Sequence, residues 1–350
     1  MQSTIATGEI NQAVAWLEDY WDHPVYPEYH SAETVDAAVQ LLNQYGAGAK
    51  ILAGGVDLIG LMKRKVITPS PIALINIKSI PELEEIKKTD HGISIGSLAK
   101  IKEIEKSEIL IEKYPLLSEA ASVVGSPNIR NMGTVAGNIM QDVRCWYYRR
   151  PPDTGVNFHC LRKVSDGICY AKDGENQHHA VFCGHECMAP CPSDLAVALT
   201  ALDATVCTVD SSGGRSLSIP ELFTPLGKNL GIDEIITEIR VPDIEKTDRQ
   251  SFLKFRIRKA IDFAVASAAV VLHMDGDIVS DARIVLGGVD FKPHRAKEAE
   301  EYMVGKHITE EVAEKAAQLS LTGASPSEKN VHKVQIAETL VKRAILGLPE

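Results

Sequence analysis

Six of the chain's seven cysteines fall between Cys145 and Cys191, and this crowding constrains the fold more than any other feature of the sequence. They are Cys145, Cys160, Cys169, Cys183, Cys187 and Cys191; only Cys207 lies elsewhere. Residues 141–191 around them are polar, aromatic and histidine-rich, with no helical or strand period. A disulfide framework belongs to small secreted domains. This chain has 350 residues, and residues 1–26 are acidic and polar, without the basic start and apolar core of an export signal. Reduced thiols in a cytoplasmic protein are therefore expected, and crowded reduced thiols read first as a metal site.

On either side of this stretch the chain is regular. Ser31 is placed to cap a helix through Val35, Ala38, Val39 and Leu42, with Gly46 as its stop. Lys50–Ala53 reads as a buried strand running into Gly54-Gly55, Leu58–Met62 as a short helix and Ala73–Ile77 as the next strand. The result is a β–Gly-rich turn–α–β unit. Gly92–Gly96 alternates like a strand, Ile101–Ile109 and Leu116–Val124 carry helical spacing, and a second small-residue turn runs from Asn128 to Asn138. Ser193 suits the N-cap of a helix over Leu195–Leu202, and Ala204–Val209 reads as a strand in which Cys207 is core. Pro242–Asp248 is a charged connector. Beyond it the apolar runs Ala264–Leu272 and Ala282–Val289, followed by helices at Glu298–Tyr302, Glu310–Leu321 and the C-terminus, predict a separate α+β domain.

Three constellations point to ligands. In Ala53-Gly54-Gly55-Val56-Asp57, glycines directly after a strand let the backbone approach a phosphate closely. Gly133-Thr134-Val135-Ala136-Gly137-Asn138 is a second such turn, and two turns converging on the two phosphates of a dinucleotide is the sharper expectation. Neither is the G-x-G-x-x-G fingerprint. Among the cysteines, Cys145, Cys160, Cys169 and Cys187 are separated by fourteen, eight and seventeen residues, which is not the paired Cys-x-x-Cys pattern of a zinc ribbon. Four thiolates on an irregular loop suit a cubane cluster, while His159, His178, His179 and His185 keep a mixed Cys/His zinc site open. Lys254-Phe255-Arg256-Ile257-Arg258 alternates basic and apolar residues and reads as the solvated face of a strand. No G-x-S-x-G, H-E-x-x-H or P-loop motif occurs. With 37 basic against 47 acidic residues the chain is no dedicated nucleic-acid binder, and no run approaches the roughly 18 apolar residues of a membrane span.

Taken in order, these pieces resemble the flavin-binding medium subunit of the xanthine dehydrogenase and carbon monoxide dehydrogenase family of molybdenum hydroxylases. The marks are Ala53-Gly-Gly-Val-Asp57 with Leu58 and Met62-Lys63, Asn128-Ile-Arg-Asn131 leading to Thr134-Val-Ala-Gly-Asn138, Pro192-Ser-Asp194, and Ala282-Arg-Ile-Val-Leu-Gly-Gly288 with Pro293-His-Arg295. The resemblance implies an α+β fold: a two-part FAD-binding domain of the p-cresol methylhydroxylase and vanillyl-alcohol oxidase type, plus a C-terminal α+β domain. On that basis residues 1–26 are an extension, 27–245 the FAD-binding domain with lobes at about 27–78 and 79–245, and 246–350 the C-terminal domain. The implied FAD contacts are Ala53, Gly54, Gly55, Val56, Asp57, Asn128, Arg130, Thr134, Ala136, Gly137, Asn138, Asp194 and Lys254. Val56 stands where the family commonly has Thr or Ser, and Ala136 where it commonly has Gly.

The Cys-rich stretch at 141–191 is similar to an insertion in the β subunit of 4-hydroxybenzoyl-CoA reductase and in bacterial aldehyde oxidoreductases of the family, where it carries one 4Fe–4S cluster. Matching the flanks places Cys145, Cys160, Cys169 and Cys187 on the ligand positions and leaves Cys183 and Cys191 without counterparts. The implied function is electron transfer, with no catalytic residue on this chain. A large subunit would carry the molybdenum cofactor, a small subunit the 2Fe–2S clusters, and ferredoxin or a similar carrier would be the outside partner. An aldehyde or N-heterocycle dehydrogenase subunit, a stand-alone flavin oxidase with a zinc-stabilised loop and a non-enzymatic redox sensor or assembly protein are the alternatives.

Overall fold

Three parallel strands open the chain: β1 (Glu28–Ser31), β2 (Ala49–Leu52) and β3 (Ala73–Asn76), in the order β1-β3-β2. A computed structural model describes residues 27–67, 69–151, 154, 158–245 and 248–347, so the reading of residues 1–26 lies outside the described residues. Parallel neighbours need crossover connections, which the helices Val35–Tyr45 and Leu58–Lys63 supply. The first helix is capped by Thr34, whose Oγ1 accepts from the Ala37 N–H at 3.1 Å, and not by Ser31. Ser31 ends β1 instead, where its hydroxyl meets Asn76 and Ser79. Gly46, at φ 54°, stops that helix as expected.

The second lobe is an antiparallel sheet. Its strands are β4 (Ile86–Thr89), β5 (Gly92–Gly96), β6 (Thr205–Asp210) and β7 (Gly213–Ser218); after a short hairpin of β8 (Phe223–Thr224) and β9 (Gly227–Lys228), the chain returns as β10 (Ile235–Pro242). The order β4-β5-β10-β6-β7 puts the late strand β10 in the centre. The helix expected over Ile101–Ile109 breaks at Ser107 into Ile101–Lys106 and Glu108–Lys113. The stretch Asn128–Asn138, read as a turn, forms two short helices, Pro127–Met132 and Val135–Met140. Ser126 and Thr134 cap them, and Gly133 is the joint between them. Small residues there suit a tight helix–helix corner as well as a turn, and the caps decide for the corner.

The third unit pairs β11 (Arg249–Phe255), β12 (Ala266–Asp275), β13 (Ile278–Gly287) and β14 (His294–Arg295) in sequence. The apolar run of β12 has no alternation because both of its faces are covered. Ala269 and Val271 pack toward the helix Asp194–Ala201, while Ala268, Val270 and Leu272 pack toward the C-terminal helix His332–Leu346. Every residue of the Asp194–Ala201 helix is buried, and Ser193 caps it through the Ala196 N–H. That helix is the central element on which the second lobe and the C-terminal sheet meet.

Between these units, residues 141–191 contribute only one helical turn, Trp146–Arg149, among their described residues. Rings and buried polar groups hold the segment together. Tyr147 stands 5.0 Å from Phe158 and 6.0 Å from Tyr170, and the wholly buried Lys333 of the C-terminal helix donates to the carbonyls of His178, His179 and Gly288. All seven cysteines are free thiols. Among the described residues no helix is long and apolar enough to cross a membrane.

Candidate functional site

The three units enclose a cleft of ≈ 1330 Å³. Glycine sets how closely two of its lining segments approach. A Cβ on Gly54 would stand 2.0 Å from the Met132 carbonyl oxygen and 3.2 Å from Gly133 Cα, so the two Gly-rich segments touch only because Gly54 lacks a side chain. Gly55 follows at φ 69°. The N–H groups of Gly54, Gly55 and Val56 find no acceptor among the described residues.

The second segment behaves differently. The N–H groups of Gly133, Val135, Ala136, Gly137 and Asn138 already donate to Ile129 O, Ala99 O, Ser97 O, Thr134 Oγ1 and Thr134 O. The two turns converge, but only the first offers an open row of backbone donors. Thr134 is buried and uses its hydroxyl as a cap; Asn138 is buried, with Oδ1 accepting from Ser193 Oγ at 2.6 Å. Ala53, Val56, Asp57, Ala136 and Gly137 also line the cleft. Asn128 and Arg130 do not, contrary to expectation. Arg130 is drawn away by Glu105, Nε to Oε2 at 2.8 Å, and by the Val124 carbonyl.

Lys254 reverses the reading of its strand. It is 2% exposed whereas Phe255 is 42% exposed. The strand is covered on both faces, so alternation carries no information about which face is wet. Lys254 shares the side of Phe252, toward the Asp194–Ala201 helix, and its Nζ lies 2.6 Å from Asp194 Oδ2 and 3.2 Å from the Val123 carbonyl. Lys254 and Asp194 both line the cleft. Burial pushes the Asp194 carboxyl up, against the opposing pull of Lys254.

Several lining residues carried no signal in the sequence. Lys228 is held by the Ile139 carbonyl at 2.8 Å and the Phe223 ring at 3.6 Å, and burial lowers its pKa to about 8. Ser97 has a buried hydroxyl without a partner. Arg144, Arg149 and Arg162 reach the cleft from the Cys-rich segment. A single lysine in a tight hairpin, or arginines inside an aperiodic stretch, has no spacing to recognise. A large cleft with a free row of N–H groups at one wall, an orphaned hydroxyl and a buried lysine fits a long ligand carrying phosphate, as FAD does.

Cys191 lines the cleft, and the other thiols gather beside it. Cys145, Cys160 and Cys187 share one small apolar cluster with Val143, Tyr148 and Ala189. Burial pushes the Cys145 thiol up to about 12, opposed by the Tyr148 and Tyr147 N–H groups and reinforced by Cys160 and Cys187. Burial likewise raises Cys160, with Cys187 and Cys169 adding to the rise. Cys160 therefore sits within electrostatic reach of the other three expected thiols, and Cys169 also reaches Cys183. His179 Nε2 stands 3.2 Å from Cys145 Sγ, and Arg162 Nη1 4.0 Å from Cys187 Sγ. Among the described residues no three His, Cys, Asp or Glu side chains are grouped closely enough to hold a single metal ion. A cubane spreads its thiolates over four irons, and free thiols flanked by N–H donors match that donor chemistry. Cys183 instead donates to Ala180 O beside a smaller cavity of ≈ 440 Å³. Cys191 is packed in the main core, and Cys207 is buried on β6 against Ser216.

Comparison with known proteins gives a consistent picture. Residues 24–244 match the family described as the FAD binding domain in molybdopterin dehydrogenase, and residues 251–348 match the CO dehydrogenase flavoprotein C-terminal domain. The chain is 32% identical over 311 residues to the aldehyde oxidoreductase FAD-binding subunit PaoB of Escherichia coli, covering 86% of this chain and 92% of that one. It is 29% identical to the carbon monoxide dehydrogenase medium chain of Hydrogenophaga pseudoflava, covering 91% and 95%. A solved carbon monoxide dehydrogenase from that organism, lacking the Mo-pyranopterin moiety of its cofactor, superimposes with a TM-score of 0.73 at 28% identity, over 92% of this chain and 97% of that one.

Proposed function

The chain belongs to the family of FAD-binding subunits of molybdopterin dehydrogenases, and we propose that it is the subunit that relays electrons through FAD and a 4Fe–4S cluster in a complex of the molybdenum hydroxylase type. The observation that carries this reading is the contact of Gly54 with Met132 and Gly133 beside a cleft lined by the buried Lys254–Asp194 pair. The Gly54–Val56 N–H groups would take the FAD diphosphate, while Ala53, Thr134, Ala136, Gly137 and Asn138 shape the wall beside it. Lys254 and Asp194 would orient the cofactor from the opposite side. Bound FAD exchanges electrons singly or in pairs and so couples a two-electron partner to one-electron centres. What this chain contributes is position: polar groups fixed by burial, and a wall that keeps water from the cofactor.

Cys145, Cys160, Cys169 and Cys187 would ligate the cluster, with Tyr147, Tyr148 and Arg162 N–H groups directed at the sulfurs. Substrate chemistry would occur on a large subunit carrying the molybdenum cofactor, reached through a small 2Fe–2S subunit, with ferredoxin or a similar carrier outside and the whole complex in the cytoplasm. A 4-hydroxybenzoyl-CoA reductase-like complex is the first candidate. An aldehyde-oxidising complex is the second, favoured by the 32% identity to a subunit of an aldehyde oxidoreductase. Native purification with partners, followed by assay with an aroyl-CoA and with aromatic aldehydes, separates the two. Recovery of this chain alone, with full turnover of a small substrate, would instead make it a stand-alone flavin oxidase.

A further inference from the structure

The Cys-rich segment supplies a wall of the cleft as well as thiols. Arg144, Arg149, Arg162 and Asp142 of that segment reach the cleft, together with Asp57 of the first turn and Lys228 of β9. Asp57 Oδ1 lies 2.9 Å from both Arg144 Nη2 and Arg149 Nη2, and its Oδ2 accepts from the Asp142 N–H at 2.8 Å. Asp142 Oδ1 accepts from Arg162 Nη2 at 3.1 Å, and its Oδ2 from the Tyr148 hydroxyl at 2.6 Å. Lys228 feels Asp142, Arg162 and Asp57. The Arg162 and Arg149 side chains are only 9% and 17% exposed.

Four cations against two carboxylates leave an excess of two positive charges on a largely buried wall. Buried charge of one sign is costly unless a counter-charge completes it. Both carboxylates of this wall are already counted, and a thiolate at Cys187, 4.0 Å from Arg162 Nη1, would offset only one of the two excess charges. Immediately before Asp57 stand the N–H groups of Gly54, Gly55 and Val56, which no described residue accepts. A diphosphate diester carries two negative charges and takes both kinds of donor.

The geometry points to the Cys-rich segment as a built part of the FAD site: Arg144, Arg149 and Arg162, with Lys228, neutralise a diphosphate held on the Gly54–Val56 N–H groups. This rests on the FAD reading above. By linkage, FAD then stabilises the fold of the segment that carries the thiols, and that fold in turn tightens FAD.

The test titrates FAD into the flavin-stripped full chain by fluorescence, and repeats the titration with riboflavin, which lacks phosphate. Arg149→Gln and Arg162→Gln should each weaken FAD about tenfold or more and leave riboflavin unchanged. Arg240→Gln, an exposed side chain on the central strand β10, should change neither. Inorganic pyrophosphate should compete with FAD on the unmutated chain, which decides the matter even where a variant fails to fold. FAD affinity unchanged in the arginine variants, equal weakening of FAD and riboflavin, or no competition by pyrophosphate would overturn the proposal. An unmutated chain that binds neither FAD nor riboflavin would overturn the FAD reading itself.

Discussion

Lys254 and Asp194 meet as a buried ion pair, Nζ to Oδ2 at 2.6 Å, sixty residues apart in sequence. The pair ties the C-terminal sheet to the start of the central helix at the wall of the FAD cleft. Asp194 takes one of the three Lys254 N–H bonds and the Val123 carbonyl a second, which leaves the third for the cleft. The same two groups therefore hold two domains together and leave one Lys254 N–H for the cleft.

Removing one partner leaves the other as an uncompensated buried charge. Lys254→Met should cost about 3–5 kcal/mol of unfolding free energy in urea titration, and the purified variant should carry less flavin. The double variant Lys254→Met/Asp194→Asn should be more stable than Lys254→Met alone. If it is less stable, the stranded carboxylate is not the source of the loss.

Gly54→Ala places a methyl group on the Met132 carbonyl. Backbone has to move, at about 1–3 kcal/mol, and the free N–H row moves with it. Flavin content should fall far more than stability. Gly276→Ala serves as the comparison, since that left-handed turn strains a side chain but has open space around it, and it should retain full flavin.

Acid should unfold the second lobe through Glu234. Burial raises its carboxyl, but Arg215, the Gly231 N–H and the Thr208 hydroxyl outweigh that and bring it down from 4.5 to about 2. A folded value below the unfolded one stabilises the protein above the unfolded pKa, and that stability is lost as pH falls from about 4.5 toward 2. The shift amounts to about 3 kcal/mol. Glu234→Gln should flatten the stability profile in that window, as read by denaturant titrations at a series of pH values.

Serine substitutions sort the thiols. Cys145→Ser, Cys160→Ser, Cys169→Ser and Cys187→Ser should each lower bound iron sharply, whereas Cys183→Ser, Cys191→Ser and Cys207→Ser should keep it. The distinction between Cys183 and Cys187 is the most informative. Cys187 shares the apolar cluster with Cys145 and Cys160, while Cys183 bonds to Ala180 O.

Much of the scaffold was legible because it obeys local rules. The strand, glycine turn, helix and strand of residues 49–76, the Ser193 cap and the long strands of the C-terminal sheet lie within a residue or a few of where period and punctuation place them. The misreadings have physical causes. Thr34 displaced Ser31 as cap because Ser31 is engaged with Asn76 and Ser79. The alternation around Lys254 alone reads as a solvated face, although the family resemblance implies an FAD contact there, because its partner is remote in sequence and lies outside any local pattern. The arginine wall was invisible because it assembles from an aperiodic segment around Asp57, a carboxylate belonging to a different lobe. Of the expected FAD contacts, Asn128 is exposed outside the cleft, and Arg130 is drawn away because Glu105 offers it a nearer partner.

The most direct test of the central claim is iron, zinc and flavin analysis of this chain after anaerobic purification. An electron-relay subunit predicts about one FAD and about four irons per chain, with broad absorbance near 400 nm that bleaches on reduction. Zinc without iron, or a folded chain that holds neither flavin nor iron, would contradict it.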